Sequence, residues 1–483
     1  MADVIETDIC VIGAGSGGLS VAAGASQMGA RTVLIEKGEM GGDCLNYGCI
    51  PSKALIAAGH AAETFRTAGR FGVKAATPEI DMAGVRRHLR GVIAAIAPND
   101  SVERFEGMGV KVIQAAARFT GPAQVEAGGQ TIRARYFVVA TGSSPMVPPI
   151  PGLDGVPHFT NETIFDVDQP IDHLIIIGGG PIGLEMAQAH RRLGAKVTVL
   201  EAFKLMGKDD PEAADVVIDR LRGEGVTLRE GAKVTAVAKA DKGVTVSIET
   251  AEGETEDLTG SHLLVAVGRK PNTDGLDLEA AGIAHDRRGI TVNRHLKTNN
   301  ARVFAIGDVA GSFQFTHLAG YHAGIVIRQA LFKMSWAKTD DRVIPWVTYT
   351  DPELAQIGDS EATAIDRLGA DKVTILRWAF EENDRAQAER RTEGFVKVIL
   401  DRKSRIIGAT IVGAHAGELL MPWSLAVQEG MKISKMAGLI APYPTLSEAS
   451  KRAAGSAFTQ ALFSERTRAI VRFMLRWFSP KAS

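Results

Sequence analysis

The sequence predicts an α/β fold class with two Rossmann-like dinucleotide-binding domains and a further α+β domain. Two apolar segments, at residues 8–18 and 172–183, end in the pattern Gly-x-Gly-x-x-Gly, and each is followed by a helical stretch and a second apolar strand. This order of strand, glycine loop, helix and strand is typical of the start of a Rossmann-like domain. From about residue 341, apolar and polar residues alternate in several segments, which predicts an antiparallel sheet for the last domain.

The first glycine unit contains Gly13, Gly15 and Gly18, and Glu36 ends its second strand. The first glycine permits a tight turn, the second lets the backbone approach a pyrophosphate, and the third lets the helix pack closely on the strand. The phosphates then lie at the positive N-terminal end of the helix. The acid accepts a hydrogen bond from a ribose hydroxyl of the adenosine half. These residues therefore predict a site for a dinucleotide cofactor.

The second unit repeats the pattern with Gly178, Gly180, Gly183 and Glu201, and the acid follows the first glycine by 23 positions in both units. One such pattern alone could be a glycine-rich turn of any α/β fold, whereas two matched copies favour two dinucleotide sites. The carboxylate of Glu201 would accept from a ribose 2′-hydroxyl and repel a 2′-phosphate. No arginine cluster follows it, so we predict NADH as the nicotinamide cofactor; the alternative is that Lys204 allows NADPH to bind.

Residues 41–53 read GGDCLNYGCIPSK and contain two of the three cysteines in the chain. Cys44 and Cys49 could form a structural disulfide, part of a metal site or a redox couple. A structural zinc site needs about four ligands, and no second cysteine pair exists, so we predict no metal site. A disulfide that closes so short a loop adds little stability and is rare in a reducing cytosol. The redox couple is therefore favoured, and Cys10 is expected to be a buried, small apolar residue of the first strand.

The composition argues against nucleic-acid binding and against a secreted protein. The formal net charge is −1, so no bulk electrostatic attraction to nucleic acid is expected. The first residues, MADVIETDIC, lack the basic and apolar regions of a secretory signal. No apolar stretch reaches the roughly 18–20 residues of a membrane-spanning helix. We therefore expect a cytoplasmic enzyme with several domains.

The motifs GAGSGG, CLNYGCIPSK, ATG, GGGPIGLE, VGRKPN, AIGD, YTDPELAQIG and YPTLSE occur in this order along the chain. In the order of these motifs the sequence resembles the flavin-dependent pyridine nucleotide–disulfide oxidoreductases. This group includes dihydrolipoyl dehydrogenase, glutathione reductase and mercuric reductase. The resemblance implies FAD and a nicotinamide cofactor, and a homodimer whose active sites lie between two chains. The implied boundaries are 1–150 for the FAD domain, 151–275 for the NAD(P)H domain, 276–340 for a central segment that completes the FAD site and 341–462 for the dimerisation domain. Residues 463–483 extend beyond the usual end of the family and are predicted to form a basic amphipathic tail.

The resemblance also implies roles for single residues. Cys49 would be the thiol nearest the flavin, and Cys44 the thiol that meets the acceptor. If a helix begins at this point, its dipole favours a thiolate at Cys49. Lys53 would face the flavin and pair with Glu185 of GGGPIGLE. The other implied cofactor contacts are Thr141 and Gly142 of ATG, Gly268 of VGRKPN, and Asp308 of AIGD, which would bind the ribityl chain.

One position departs from the family pattern. Dihydrolipoyl dehydrogenases and glutathione reductases carry His-Pro at the start of the C-terminal motif, whereas this chain has Tyr443, and Glu448 keeps the place of the supporting acid. Histidine titrates near ~6.5 and tyrosine near ~10, so a tyrosine can donate a hydrogen bond but is a poor base at neutral pH. Because a general base contributes about 10²- to 10⁴-fold, dithiol oxidation would lose most from this change.

We therefore predict a reductase that passes electrons from NADH through FAD and the cysteine pair to a disulfide or thiophilic acceptor. Tyrosine at this position resembles mercuric reductase, but that enzyme delivers its metal through a second cysteine pair near its C-terminus, which this sequence lacks. A dihydrolipoyl dehydrogenase that tolerates tyrosine is the alternative enzyme. A redox-sensing or membrane-docked electron-transfer flavoprotein is the alternative of another class, and an FAD oxidase without a disulfide relay is a third.

The last segment has the pattern of a basic amphipathic helix. Arg468, Arg472 and Arg476 are four residues apart and share one helical face, and apolar residues occupy much of the rest. Such a helix can pack on the dimer with its arginines outward, or it can lie on an anionic membrane surface. A peripheral contact of residues 464–483 with the inner face of the membrane is therefore one of two open predictions.

Overall fold

The structure is a computed structural model that describes residues 4–311 and 313–478. The chain divides into two compact units. The first unit is Met1–Leu205 with Leu221–Asp340, and the second is Met206–Arg220 with Asp341–Ser483.

The first apolar segment of the sequence forms the middle of a seven-stranded sheet. The strands are β1 Val4–Ile12, β2 Thr32–Glu36, β3 Val110–Gln114, β4 Ala117–Gly121, β5 Gln124–Ala127, β6 Gln130–Val139 and β18 Val303–Ala305. Their order is β3-β2-β1-β6-β5-β4, with β18 also paired to β6. The pairs of β1 with β2 and β6, of β2 with β3 and of β18 with β6 are parallel.

Alternate residues of β1 face two separate hydrophobic cores, as the two-residue period of a strand requires. Cys10 and Ile12 pack in one core, and Ile9 and Val11 pack in the other. Cys10 is fully buried, and burial raises the pKa of its thiol. The prediction that Cys10 is a buried apolar residue is confirmed.

The second apolar segment begins a smaller parallel sheet in the same unit. Its strands are β8 His173–Ile177, β9 Lys196–Leu200, β10 Thr227–Arg229 and β14 His262–Val265, in the order β10-β9-β8-β14. The remaining strands of the unit form an antiparallel sheet and two short pairs. These are β11 Lys233–Ala240, β12 Gly243–Glu249 and β13 Thr255–Gly260; β7 Ser143–Pro145 with β15 Arg269–Pro271; and β16 His285–Asp286 with β17 Gly289–Ile290.

Helices α3 (Cys49–Thr67) and α6 (Pro181–Arg192) of the first unit pack against each other along their length. A Cβ atom at Gly59 of α3 would lie 3.4 Å from Cα of Ala189 in α6. Further along, Nη1 of Arg66 donates a hydrogen bond to the carbonyl oxygen of Arg192 at 2.6 Å. The helices of this unit are α1 Ser16–Gln27, α2 Gly42–Asn46, α3 Cys49–Thr67, α4 Met82–Ile96, α5 Val102–Gly107, α6 Pro181–Arg192 and α8 Thr316–Ala330.

The second unit is built on a five-stranded antiparallel sheet, as the alternating pattern of the sequence predicts. The strands are β19 Trp346–Thr348, β20 Glu353–Gly358, β21 Val373–Ala379, β22 Phe395–Asp401 and β23 Ile406–Gly413, in the order β19-β20-β23-β22-β21. The helices are α7 Pro211–Gly223, whose last residues belong to the first unit, α9 Glu361–Leu368, α10 Asp384–Glu389, α11 Ala416–Leu419, α12 Met421–Gln428, α13 Ile433–Ala437, α14 Ser447–Leu462 and α15 Glu465–Phe478.

A buried lysine explains why residues 206–220 group with this sheet. Nζ of Lys397 lies 3.0 Å from Oδ1 of Asp210 and 2.8 Å from Oε2 of Glu212. The carboxylates raise the pKa of Lys397 although burial opposes the charge. A charge removed from water needs such partners, so this cluster fixes the start of α7 on β22.

The predicted α/β fold class is confirmed, with two parallel sheets that begin at the glycine units and a separate antiparallel sheet. Among the helices of the described ranges, none combines the length and the apolar character needed to cross a bilayer.

Candidate functional site

The two cysteines of interest lie at the junction of α2 and α3. Cys44 is half-buried in α2, Cys49 is exposed and is the first residue of α3, and both are free thiols. A hydrogen bond from the Cys44 thiol, with further help from Thr316 and the charge of Lys53, lowers the pKa of Cys49 to about 6. The same hydrogen bond and burial raise the pKa of Cys44. At neutral pH the reduced pair therefore consists of a Cys49 thiolate and a Cys44 thiol that donates to it.

Two of the predicted catalytic residues form an ion pair one helical turn from this thiolate. Nζ of Lys53 in α3 lies 2.8 Å from Oε2 of Glu185 in α6. The Glu185 side chain is 7% exposed, and the Lys53 side chain is 38% exposed. Burying a carboxylate costs free energy unless a cation lies close to it, so the Glu185 carboxylate and the Lys53 ammonium stabilise each other in this position. The structure brings these two residues together, and their role beside a flavin remains a prediction.

The acids at the ends of β2 and β9 each accept two backbone hydrogen bonds. Ala14 N donates to Oε2 of Glu36 at 2.5 Å, and Gly38 N donates to Oε1 of Glu36 at 2.8 Å. In the second glycine loop the backbone N–H of Gly179 donates to one oxygen of Glu201 at 2.7 Å, and that of Phe203 donates to the other at 2.9 Å. Each carboxylate oxygen keeps a lone pair for a ribose hydroxyl. The two halves of the repeat therefore share one local geometry.

The first glycine loop leaves room for a ligand at one glycine only. Gly13 has φ +106°, and a Cβ atom on it would lie 2.4 Å from the carbonyl oxygen of Ala140. A Cβ atom on Gly18 would lie 1.8 Å from the Gly13 carbonyl oxygen, so α1 packs directly on the loop. By contrast, a Cβ atom on Gly15 would meet no protein atom within 4 Å. Gly15 caps the N-terminus of α1, where backbone N–H groups favour an anion, so the loop fits the pyrophosphate of FAD.

The second glycine loop is likewise crowded at its first and third glycines and open at its second. Gly178 has φ +115°, and Cβ atoms on Gly178 and Gly183 would lie 2.4 and 2.0 Å from backbone oxygens. A Cβ atom on Gly180, which caps the N-terminus of α6, would meet no protein atom within 4 Å. This loop therefore fits the pyrophosphate of a nicotinamide dinucleotide in the same way.

A polar cluster that the sequence did not reveal joins Asp308 to the cysteine loop. Oγ of Ser143 donates to Oδ2 of Asp308 at 2.5 Å, and Nε of Arg269 donates to Oγ of Ser143 at 2.7 Å. Nη2 of Arg269 lies 3.0 Å from Oδ1 of Asp43, the residue before Cys44. Burial raises the pKa of Asp308. The only sequence signal for this cluster is that Asp43 and Arg269 belong to the motifs around Cys44 and Gly268.

The residues of the ATG and VGRKPN motifs meet at the β7–β15 pair. Oγ1 of Thr141 donates to the carbonyl oxygen of Asn272 at 2.7 Å, and Nδ2 of Asn272 donates to the Thr141 carbonyl oxygen at 2.9 Å. Gly142 and Gly268 have φ values of +67° and +126°, in the region that favours glycine. Met146 N donates to the Gly268 carbonyl oxygen at 2.9 Å. Direct contacts of these residues with a cofactor remain predictions.

A buried histidine fixes the backbone just before Asp308, and the sequence did not predict it. His322 in α8 accepts a hydrogen bond at Nδ1 from Gly307 N, at 3.2 Å. Burial lowers the pKa of His322 to about 4, so the ring is neutral at physiological pH. Its place in the core makes it a support for the loop that carries Asp308.

Tyr443 lies in the second unit and is 70% exposed. Its hydroxyl donates to Oδ2 of Asp384 at 3.1 Å. The Asp384 carboxylate raises the pKa of Tyr443, and the charge of Glu448 adds to this. The tyrosine can therefore donate a proton or a hydrogen bond but does not serve as a base at neutral pH. Sequence reasoning did not identify Asp384, which is 59 positions away.

In the described ranges, no group of three or more histidine, cysteine, aspartate or glutamate side chains is arranged to hold a metal ion.

Comparison with known families gives two matches. A family profile described as pyridine nucleotide-disulphide oxidoreductase matches residues 7–323. The dimerisation domain of the same family matches residues 344–454.

Individual relatives and solved structures match nearly the whole chain. A mercuric reductase of Staphylococcus aureus is 32% identical, with 93% of this chain and 82% of that protein covered. A dihydrolipoyl dehydrogenase of Thermus scotoductus is 36% identical, with 94% and 98% covered. The HOCl-induced flavoprotein disulfide reductase RclA from Escherichia coli is 28% identical and has a TM-score of 0.83, with 93% of this chain and 99% of that chain covered.

Proposed function

Because the chain belongs to the pyridine nucleotide-disulphide oxidoreductase family, we propose that it uses NADH to reduce a disulfide or thiophilic acceptor through Cys44 and Cys49. It is an enzyme of this family and depends on FAD and a nicotinamide dinucleotide. The observation that carries the proposal is the reduced cysteine pair, in which Cys49 has a pKa of about 6 and Cys44 donates a hydrogen bond to it. The domain boundaries drawn from the sequence are part of the proposal.

The loop at Gly15 would hold the pyrophosphate of FAD, and the flavin would supply a two-electron carrier between the nicotinamide and the Cys44–Cys49 disulfide. Two-electron reduction of this disulfide breaks its S–S bond, and Cys49 keeps the negative charge because Cys44, Thr316 and Lys53 stabilise a thiolate there. Cys44 takes up a proton. After losing that proton, its sulfur attacks the acceptor. With a disulfide acceptor, this attack forms a mixed disulfide with Cys44 and releases one thiolate. The Cys49 thiolate then attacks the Cys44 sulfur, which forms the Cys44–Cys49 bond again and releases the second thiolate. One thiolate takes the proton that Cys44 lost, and the other takes a proton from solvent.

Tyr443 supports the direction of the reaction. Its hydroxyl is held by Asp384 and remains protonated, so it can protonate a leaving thiolate but cannot remove a proton from a substrate dithiol.

The dimerisation domain indicates a homodimer. In the proposed mechanism Tyr443 and Glu448 act on the cysteine pair of the partner subunit, as the family resemblance implies.

The class of acceptor is drawn from the relatives. One of them is a mercuric reductase, and RclA of Escherichia coli has been solved as a Cu(II) complex at 28% identity to this chain. The first name refers to the mercuric ion and the second structure contains a copper ion, and thiolates are favoured ligands of such soft metals. We therefore include thiophilic metal ions, as substrates, beside small disulfides.

The preference for NADH is supported by Glu201. Its carboxylate is fixed by two backbone hydrogen bonds at the end of β9, where an anionic 2′-phosphate would meet a like charge. The next residues are Ala202, Phe203 and Lys204, so one lysine is the nearest cation in sequence for a 2′-phosphate.

An acceptor panel with the purified, FAD-loaded enzyme tests the proposal. NADH and NADPH are each combined with cupric and mercuric ions, glutathione disulfide, hypothiocyanite, quinones and lipoamide. We expect steady turnover with NADH and at least one disulfide or metal ion, and slow oxidation of dihydrolipoamide near neutral pH. Fast turnover of lipoamide and dihydrolipoamide would instead identify a dihydrolipoyl dehydrogenase. Consumption that stops after about one equivalent of NADH with every acceptor would identify a redox sensor.

A further inference from the structure

The C-terminal helix α15 presents a wide apolar surface to solvent. In the described part of the chain, which ends at residue 478, its large apolar side chains are each 49–74% exposed. At about 100° per residue they cover an arc of about 200°, interrupted by Arg466 and Thr467 in the first turn. These side chains are Ile470, Val471, Phe473, Met474, Leu475, Trp477 and Phe478.

The opposite side of α15 is cationic. Arg468, Arg472 and Arg476 stack on it, and Glu465 lies beside them, 3.0 Å from Arg468 and 3.8 Å from Arg472. The helix contains four arginines and one acid, so its side-chain charge is +3. These arginines occupy the polar side of the helix, where their long side chains can reach anionic groups.

The dimensions of α15 favour one kind of partner. Its 14 residues span about 21 Å, less than the roughly 30 Å of a bilayer core, so it cannot cross a membrane. An apolar arc of about 200° is wider than the stripe that a single packed helix covers. The matched dimerisation domain ends at residue 454, before α15 begins.

A helix with a wide apolar face, arginines on its polar side and aromatic residues has the composition of one that lies in a lipid–water interface. We propose that α15 binds in the plane of an anionic membrane surface, with its apolar arc among the acyl chains and its arginines at lipid phosphates. Residues 479–483, which belong to the predicted tail, lie outside the described residues.

Vesicle flotation with the full-length, FAD-loaded enzyme tests this surface. The probes are vesicles of phosphatidylcholine with and without phosphatidylglycerol. We expect flotation only with the anionic vesicles, and release at high salt. The double variant Phe473→Glu, Met474→Glu should stay with the unbound protein, and Arg472→Gln should bind about fivefold more weakly. Phe71→Glu, at a half-exposed phenylalanine of the first unit, is the matched control and should float like the parent.

Two results would overturn the proposal. One is that the parent enzyme does not float with either vesicle. The other is that Phe473→Glu, Met474→Glu changes the molar mass measured by light scattering, because α15 would then pack on a second copy of the chain. All variants should keep NADH turnover with a small acceptor, which shows that they are folded. Flotation has no redox readout, so its outcome is independent of the proposed reaction.

Discussion

The hydroxyl of Thr316 lies 3.4 Å from the sulfur of Cys49, although 267 positions separate the two residues in the chain. Thr316 is the first residue of α8, and Cys49 is the first residue of α3. Two helix N-termini therefore meet at one sulfur, and both favour negative charge there.

Replacing Thr316 by valine should raise the pKa of Cys49 in the reduced enzyme. The thiolate loses a hydrogen-bond donor, and we expect an upward shift of about one pKa unit from the value near 6. The pH dependence of alkylation by iodoacetamide measures it, because only the thiolate reacts. Thr316→Ser keeps the hydroxyl and should retain the parental midpoint. A valine variant with an unchanged midpoint would show that the contact does not stabilise the thiolate.

Replacing Cys44 by serine should stop acceptor reduction but not flavin reduction. Without the outer sulfur no disulfide can form, so turnover should fall by at least about 10²-fold. Stopped-flow measurement of flavin bleaching by NADH is the control, since that step precedes the cysteines. Undiminished turnover in this variant would support an oxidase without a disulfide relay.

Replacing Tyr443 by histidine should increase oxidation of dihydrolipoamide. A ring with a pKa near ~6.5 supplies the missing base, and we expect a gain of about 10²-fold near neutral pH. Tyr443→Phe, which removes the hydroxyl and keeps the ring, should give no gain. Fast dihydrolipoamide oxidation by the parent enzyme would show that tyrosine at position 443 does not limit dithiol oxidation.

The raised pKa of Tyr443 also predicts a pH profile. The donor form is the protonated phenol, and Asp384 keeps it protonated to higher pH than usual. Acceptor reduction should therefore not decline from loss of this proton until the pH exceeds about 10. In Asp384→Asn the decline should begin at lower pH. If acceptor reduction declines over the same alkaline pH range in the parent and in Asp384→Asn, then ionisation of Tyr443 does not control the reaction.

Replacing Glu201 by arginine should shift cofactor choice towards NADPH. The substitution removes a carboxylate that repels the 2′-phosphate and adds a charge-assisted donor, so the ratio of kcat/KM for NADPH to that for NADH should rise at least about tenfold. Since Glu201 also accepts from Gly179 and Phe203, thermal unfolding of the variant must be compared with that of the parent. An unaltered ratio in a stable variant would mean that another residue selects the cofactor.

The features that the sequence predicted correctly are those that local geometry determines. Gly13 and Gly178 adopt positive φ values where their strands end, as the predicted tight turns require. Strand alternation and turn chemistry set such short-range structure.

The contacts that the sequence could not predict join distant segments. The Ser143–Arg269 hydrogen bond spans 126 positions, and the hydroxyl of Thr316 reaches Cys49 from a different helix. No spacing rule connects these residues, because sheet order and helix packing bring them together. The Lys53–Glu185 pair spans 132 positions, and it was predicted only through the family resemblance.

The fastening of α3 to α6 has a mechanical consequence. The Lys53–Glu185 pair, the close crossing at Gly59 and the bond from Arg66 to the Arg192 carbonyl join the two helices at three levels. One helix begins at the Cys49 thiolate and the other at the second glycine loop. Sliding one helix past the other would separate the buried Glu185 carboxylate from the Lys53 cation, so we expect the two helices to open to amide hydrogen exchange as one cooperative block.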